Sequence, residues 1–231
     1  MSFETEEQEK QRIHKARIKT QALAILSRSK KAGIPERFLR IGPHDFKDLL
    51  SEEYHGGSDG VDQMTDFIYK QPDKLFKIPF ILIDGGSIES RKRAGFAILF
   101  RLISCDHFGL YKDCADVVHR MQTFVSEAGV NRNDFTNIMK EQDVIFISEF
   151  YRPIFSAHLD GGNYFDEFLG YRSDKLKPTI VSFSATLNSH NKITDNTCGR
   201  YLASLSAKEY VDTSDPFIKY DDYILRVRVK L

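Results

Sequence analysis

The residues with the clearest chemical meaning lie between an apolar run and a basic run, from Phe80 to Arg93. The sequence there is F-I-L-I-D-G-G-S-I-E-S-R-K-R, which predicts a short buried strand, a glycine turn and the start of a helix. Loops of this kind cradle phosphates with backbone N–H groups when they carry the pattern G-x-x-x-x-G-K-[ST]. The candidate phosphate ligands are Gly85, Gly86, Ser90, Arg91 and Lys92.

The pattern fits this segment in two registers, and each register departs from it. Counted from Gly85, Arg91 stands at the position of the lysine and Lys92 at that of the hydroxyl residue. Counted from Gly86, Lys92 keeps its role and Arg93 stands at the hydroxyl position. Both registers stay open, and neither leaves a hydroxyl for Mg²⁺. Two interpretations stay open: weak phosphate or nucleotide binding without magnesium, and an empty vestigial site.

Strands and helices alternate after Phe80. Further apolar strands are predicted at Val144–Ser148 and Thr179–Ser184, and a short strand at 108–111. Helices are predicted at 90–104, 113–127 and 196–205, and a flexible loop at 56–60. This alternation predicts a parallel sheet covered by helices on both faces. Ligands in such sheets bind at the carboxyl ends of the strands, which directs attention to Ser148, Glu149 and Ser184.

Composition restricts the class of protein. The 231 residues have no net charge, and no apolar run approaches the roughly 20 residues that span a bilayer. The charged N-terminus does not resemble a signal peptide. The three cysteines and seven histidines lack the spacing of metal ligands, so no metal site is expected. These features predict a cytoplasmic protein without membrane contact.

The N-terminal segment has an uneven charge distribution. Acidic residues are concentrated at positions 4–9, and the following positions to residue 40 are almost all basic where they are charged. Residues 4–31 are predicted to form a helix that ends at Gly33 and Pro35. A solvated helix face explains such a run, and so does a contact with an acidic protein or a nucleic acid. The candidate contacts are Lys10, Arg12, Lys15, Arg17, Lys19, Lys30 and Lys31.

Several segments, taken in order, resemble the helicase loaders of the DnaC/DnaI type and the related IstB transposition ATPases, a branch of the AAA+ proteins. The sequence K-A-G-I-P-E-R-F at 31–38 is similar to the G-I-P-x-R-F segment of that family. The segment R-S-D-K-L-K-P-T-I-V-S-F-S at 172–184 resembles its R-x-x-x-x-x-P-T-I-x-T-S-N-L motif. The resemblance implies a P-loop, AAA+-like α/β domain at 33–231, preceded by a basic helical extension at 1–32.

The resemblance also assigns roles to residues. Glu149 takes the place of the catalytic carboxylate, Ser184 that of the sensor residue, and Arg200 that of an arginine directed at a neighbouring subunit. Ser148 stands where the family has its magnesium-binding aspartate. Because the magnesium ligands and the sensor amide are replaced, little or no ATP hydrolysis is expected. ATP or ADP binding stays open, and magnesium is doubtful.

These departures favour an adaptor in DNA replication over a motor. The expected partners are a hexameric replicative DNA helicase and single-stranded DNA, in a bacterial or phage-infected cell. A monomer or a partner-dependent oligomer is expected, because an altered nucleotide site weakens ring assembly. The alternatives are an active ATPase that uses Lys92 and Glu149, and a transposition helper or an inhibitor of another AAA+ ring.

Overall fold

The computed structural model describes residues 6–123, 132–150, 161–183 and 224–230. The strands are β1 (Phe80–Gly85), β2 (Gly109–Asp113), β3 (Val144–Ser148), β4 (Thr179–Ser182) and β5 (Ile224–Val229). The helices are α1 (Glu6–Lys31), α2 (Pro43–Lys47), α3 (Glu52–His55), α4 (Ser58–Lys70), α5 (Pro72–Leu75), α6 (Ile88–Ser104), α7 (Cys114–Thr123), α8 (Arg132–Glu141) and α9 (Gly161–Asp174), with a 3₁₀ turn at Glu36–Phe38.

The five strands of the described ranges form one parallel sheet in the order β2-β3-β4-β1-β5. β1 lies between β4 and β5, with Phe80 opposite Thr179 on one side and Ile224 on the other. Because all pairs are parallel, the carboxyl ends of the strands meet at one edge of the sheet. The predicted fold class, a helix-flanked parallel sheet with an N-terminal helix, is confirmed.

Alternate side chains of β1 divide the core into two layers, as the two-residue period of a strand requires. Ile81 and Ile83 pack with α6 and the N-terminal helices. Phe80 and Leu82 pack on the opposite face with residues of α7, α8 and α9. Helices therefore cover both faces, which explains why β1, β3 and β4 are apolar on both sides.

The helix after β1 begins earlier than the sequence pattern predicts. A helix was expected from Ser90, but α6 begins at Ile88. The reason is a cap: the Ser87 hydroxyl accepts a hydrogen bond from the Ser90 N–H at 3.1 Å, which satisfies a donor of the first turn. Only Gly86 and Ser87 separate β1 from α6.

Other predicted boundaries also need correction. The predicted flexible loop at 56–60 is wrong in its second half, because α4 begins at Ser58. Gly56 and Gly57, both at positive φ, are sufficient to separate α3 from α4. Asp113, predicted to begin a helix, is the last residue of β2. A helix predicted at 196–205 lies outside the described residues.

Within the described ranges, the side chains of helix α1 that are buried or half-buried lie in its last turns. Residues 7–24 are all exposed, including Ile13, Ile18 and Leu23, whose exposed fractions are 60%, 54% and 58%. At the other end, the Tyr111 N–H of β2 donates to the Ala32 carbonyl at 2.7 Å. The predicted helix is confirmed, and its exposed part, residues 7–24, extends about 27 Å at 1.5 Å per residue.

Candidate functional site

The candidate phosphate ligands and Glu149 meet at the carboxyl ends of the strands. The loop after β1 lies beside Glu149, which follows β3, and Ser182 ends the intervening β4. Asp113 ends β2 opposite Ser148. The basic start of α6 contacts this edge of the sheet, because Arg91 bonds to Glu149 and Lys92 bonds to Asp113.

Arg91 is enclosed by hydrogen-bond acceptors. Its Nη1 donates to the carbonyl oxygens of Gly85 and Gly86 at 3.0 and 2.8 Å. Its Nε and Nη2 donate to the two carboxylate oxygens of Glu149 at 3.2 and 2.7 Å. The residue is only 3% exposed. All three guanidinium nitrogens are thus bonded within the protein, in the bidentate arrangement that suits a carboxylate.

Glu149 is fixed on both sides. Its backbone has φ +51°, an uncommon conformation for a residue with a side chain. Its N–H donates to the Ser182 hydroxyl at 3.1 Å, and the next N–H, of Phe150, donates to the Ser182 carbonyl at 2.6 Å. Its role as a catalytic base stays a prediction, and in this arrangement both carboxylate oxygens accept bonds from Arg91.

Lys92 is paired with a carboxylate that sequence reasoning missed. Asp113 Oδ1 accepts hydrogen bonds from Lys92 Nζ at 3.0 Å, from the Tyr111 hydroxyl at 2.9 Å and from the Ser148 hydroxyl. Burial alone would raise the pKa of Asp113, but the bonds from Ser148, Lys92 and Tyr111 outweigh it and lower the pKa. Asp113 therefore stays ionised and neutralises Lys92.

The position of Asp113 could have been found from the sequence with a better strand boundary. The strand predicted at 108–111 stops before it, whereas β2 extends to Asp113. The rule that functional side chains follow parallel strands then applies to this residue. The resemblance implies a carboxylate at position 148. The chain has Ser148 there, and the carboxylate of Asp113 lies opposite it on the neighbouring strand.

Packing against β5 requires glycine at the two positions that end β1 and follow it. A Cβ on Gly86 would lie 2.7 Å from the Lys230 carbonyl oxygen, and one on Gly85 would collide with the Val229 carbonyl oxygen. Both glycines also have positive φ, +79° and +51°, which favours glycine. Close approach of the β5 backbone therefore explains the G-G pair without a phosphate.

β5 is held beside this loop by a buried carboxylate. Asp84, the residue before the glycines, is fully buried and accepts bonds from two arginines of β5. Arg226 Nε donates to Oδ2 at 2.7 Å, and Arg228 Nε donates to Oδ1 at 2.8 Å. Charge-assisted bonds of this kind are among the strongest in proteins, so they fix the end of β5 against Gly85 and Gly86.

A magnesium nucleotide does not fit the described part of this site. A phosphate cradle presents N–H groups to the anion, whereas the Gly85 and Gly86 carbonyls point to Arg91. The N–H groups of Ser90 and Arg91 are bonded to the Ser87 hydroxyl and carbonyl. Among the described residues, no three His, Cys, Asp or Glu side chains are grouped to hold a metal. The assignment of Gly85, Gly86, Ser90, Arg91 and Lys92 as phosphate ligands stays a prediction, and this geometry argues against it.

The remaining candidates lie apart from this edge or outside the described residues. Ser184 and Arg200 belong to the second group, so their predicted sensor and arginine roles are untested. The basic candidates belong to α1, and its residues 7–24, Lys30 and Lys31 are exposed. No helix within the described ranges combines the length and the apolar character needed to cross a membrane.

Arg172, which opens the second segment of the resemblance, is a structural residue. It is completely buried and donates to the carbonyls of Met139, Gln142 and Pro178 at 2.7–2.9 Å. Its Nε donates to the Thr179 hydroxyl at 3.0 Å. Burial lowers the pKa of Arg172 to about 9, so it remains charged at neutral pH. It joins the end of α8 to the start of β4.

Comparison with known proteins identifies the architecture. No protein-family model and no curated protein matches the sequence. The crystal structure of the DnaC helicase loader matches with a TM-score of 0.51 and 14% identity, over 74% of this chain and 89% of that one. The crystal structure of DnaI matches with a TM-score of 0.51 and 14% identity, over 85% and 91%. This chain has the helicase-loader fold.

The match covers most of both loader chains, so it concerns the body and not a local motif. The P-loop, AAA+-like fold that the resemblance implies is confirmed. At 14% identity the likeness shows the fold alone. At the end of β1 this chain has Arg91 bonded to Glu149.

Proposed function

We propose that this chain is a DNA replication accessory protein, an adaptor that resembles a helicase loader and acts without ATP hydrolysis. The observation that carries this proposal is the Arg91–Glu149 pair, because it engages both the predicted phosphate ligand and the predicted base. Phosphoryl transfer depends on metal ions and charged groups that hold the phosphates. Lys92 is also engaged, by Asp113. The loader fold supports the replication context.

Helix α1 is the proposed contact with the partner. Residues 7–24 extend from the body with their side chains exposed. They combine large apolar residues, Ile13, Ile18 and Leu23, with the basic residues named above. An exposed helix of this composition suits a groove on an acidic protein, which would bury the apolar residues. The proposed partner is a hexameric replicative helicase, and single-stranded DNA is a further proposed contact of the basic residues.

A pull-down with a hexameric replicative helicase tests this function. The full chain is expected to be retained by the helicase equally well with and without magnesium ATP. A deletion of residues 1–24 is expected to lose binding and keep its melting temperature, because the side chains of residues 7–24 are exposed. Retention of the deletion variant, or no binding by the full chain, would contradict the proposal.

A charge-reversal variant of α1 tests the contact without deleting the helix, and the same change elsewhere on the surface is its control. Lys15→Glu combined with Lys19→Glu retains the helix and its apolar residues while reversing two exposed charges. It is expected to weaken binding strongly and in a salt-dependent manner. The same change at exposed Lys70 and Lys74, on α4 and α5, is expected to leave binding unchanged. In the cell, a cytoplasmic monomer that assembles only with its partner is proposed.

A further inference from the structure

The space that the Arg91 guanidinium occupies at the end of β1 is lined by hydrogen-bond acceptors. Four oxygens define it: the carbonyls of Gly85 and Gly86 and the two carboxylate oxygens of Glu149. We refer to these four oxygens as the acceptor nest. Oxygens repel a phosphate and attract a cation, so the acceptor nest has the opposite polarity to a phosphate loop.

We propose that the acceptor nest is a guanidinium-binding site, that Arg91 is its built-in ligand, and that this ligand takes the place of a nucleotide in joining the strand ends. The proposal concerns the nest alone and does not depend on the helicase partner. It goes beyond the proposed absence of ATPase activity, because it states which chemical group the acceptor nest binds.

The shape of the acceptor nest suits a planar fork. Nη1 donates to both carbonyls, while Nε and Nη2 donate in parallel to the carboxylate. A guanidinium presents donors in a fixed plane, whereas an ammonium is a compact charge that is strongly hydrated. The nest should therefore prefer guanidinium to a lysine side chain or to sodium.

The contacts of the nest join three strands. Gly85 ends β1, and Glu149 follows β3. The Glu149 N–H is bonded to Ser182 at the end of β4. Arg91 itself is on α6, so its side chain links the helix directly to the ends of β1 and β3, and through Glu149 to the end of β4. Loss of this cation would leave the Glu149 carboxylate close to two carbonyl oxygens with its partner removed, which is costly in a site that is mostly buried.

Chemical rescue tests the proposal. Arg91→Ala is expected to lower the melting temperature, and guanidinium chloride at low millimolar concentration is expected to restore part of the loss. Sodium chloride at the same ionic strength should not do so. Lys92→Ala, the matched control on the same helix turn, should show no recovery with guanidinium. An unchanged melting temperature in Arg91→Ala, or a loss that guanidinium does not restore, would overturn the proposal.

Arginine NMR on the wild-type chain tests the same point if the variant does not fold. The Arg91 Nε–H is expected to exchange slowly, because it is buried and bonded to Glu149. Its signal should be insensitive to inorganic phosphate and to magnesium ATP. Rapid exchange would show that Arg91 is not held in the acceptor nest. A saturable shift with phosphate would show that this site binds anions. Either result would overturn the proposal. Neither result depends on whether a helicase binds.

Discussion

Asp113 is the residue whose chemistry is most open to a direct test. The hydrogen bonds from Ser148, Lys92 and Tyr111 outweigh burial and lower its pKa below the ordinary 3.8. A carboxyl group with a lowered folded-state pKa stabilises the fold above its ordinary pKa, and this contribution is lost as the pH falls through the folded value. Asp113→Asn should therefore reduce the urea midpoint at neutral pH, and the difference from wild type should shrink below pH 3.8.

An exposed carboxylate serves as the control for this measurement. Asp66 forms a helical ion pair with Lys70 on α4, with both side chains more than half exposed. Such pairs contribute little to stability, so Asp66→Asn should leave the midpoint nearly unchanged at neutral pH. If Asp113→Asn also has no effect there, the network around Asp113 does not stabilise the fold.

The residues at the strand ends show where reasoning from sequence succeeds and where it stops. The pattern correctly brings Gly85, Arg91 and Glu149 to one edge, because strand and helix periods determine which residues follow a strand. It does not reveal that Arg91 turns back to Glu149 and the glycine carbonyls. Nor does it reveal the Ser87 cap, which starts α6 two residues earlier than predicted.

Among the elements, the junction of α8 and β4 depends on one buried arginine. Arg172→Met keeps an apolar stem but removes donors to the carbonyls of Met139, Gln142 and Pro178. Buried carbonyls left without donors are costly, so a loss of about 3 kcal/mol or more in the free energy of unfolding is expected. Urea denaturation followed by circular dichroism measures it.

The same junction contains a second basic residue that serves as the matched control. Lys177 Nζ donates to the carbonyls of Lys140 and Glu141 at 3.1 Å, but its side chain is partly exposed. Water can replace its bonds, so Lys177→Met should cost less than about 1 kcal/mol. Equal losses for the two variants would mean that burial of Arg172 is not the deciding factor.

The long elements of the sheet follow from the sequence, and the short ones do not. β3 has the predicted bounds, because four consecutive apolar residues followed by Ser148 are typical of a short, fully buried strand. Short helices such as Pro43–Lys47 and Pro72–Leu75 were not predicted. Helices of one turn are stabilised by packing and not by propensity, and Phe46 and Leu75 pack in the core only once the sheet exists.

For the whole molecule, the two cations at the start of α6 are compensated without a ligand. Arg91 is paired with Glu149, and Lys92 is paired with Asp113. Neither side chain is therefore left uncompensated to attract the phosphates of a nucleotide. The body should be equally stable with and without nucleotide, which distinguishes it from a nucleotide-dependent ATPase.

Thermal unfolding measures this property directly. A ligand at 100 times its Kd stabilises the folded state by about 2.7 kcal/mol. For a domain of this size that corresponds to a rise of about 5 to 10 °C in Tm. Magnesium ATP is expected to give no such rise with the wild-type chain. A magnesium-dependent rise of that size would mean that the nucleotide displaces the Arg91–Glu149 pair, and would favour the active ATPase.

A double variant that removes both carboxylate charges is expected to do the opposite and to bind anions. Glu149→Gln with Asp113→Asn removes both internal anions and leaves Arg91 and Lys92 in place. Two uncompensated cations beside a helix N-terminus attract anions, so this variant should be stabilised by inorganic phosphate and by ATP, without a requirement for magnesium. Matched single variants at the exposed carboxylates Asp66 and Asp48 should show no gain. If the double variant also fails to respond to phosphate, then the carbonyls of Gly85 and Gly86 exclude anions even when both carboxylates are gone, and the polarity of the backbone alone closes the site.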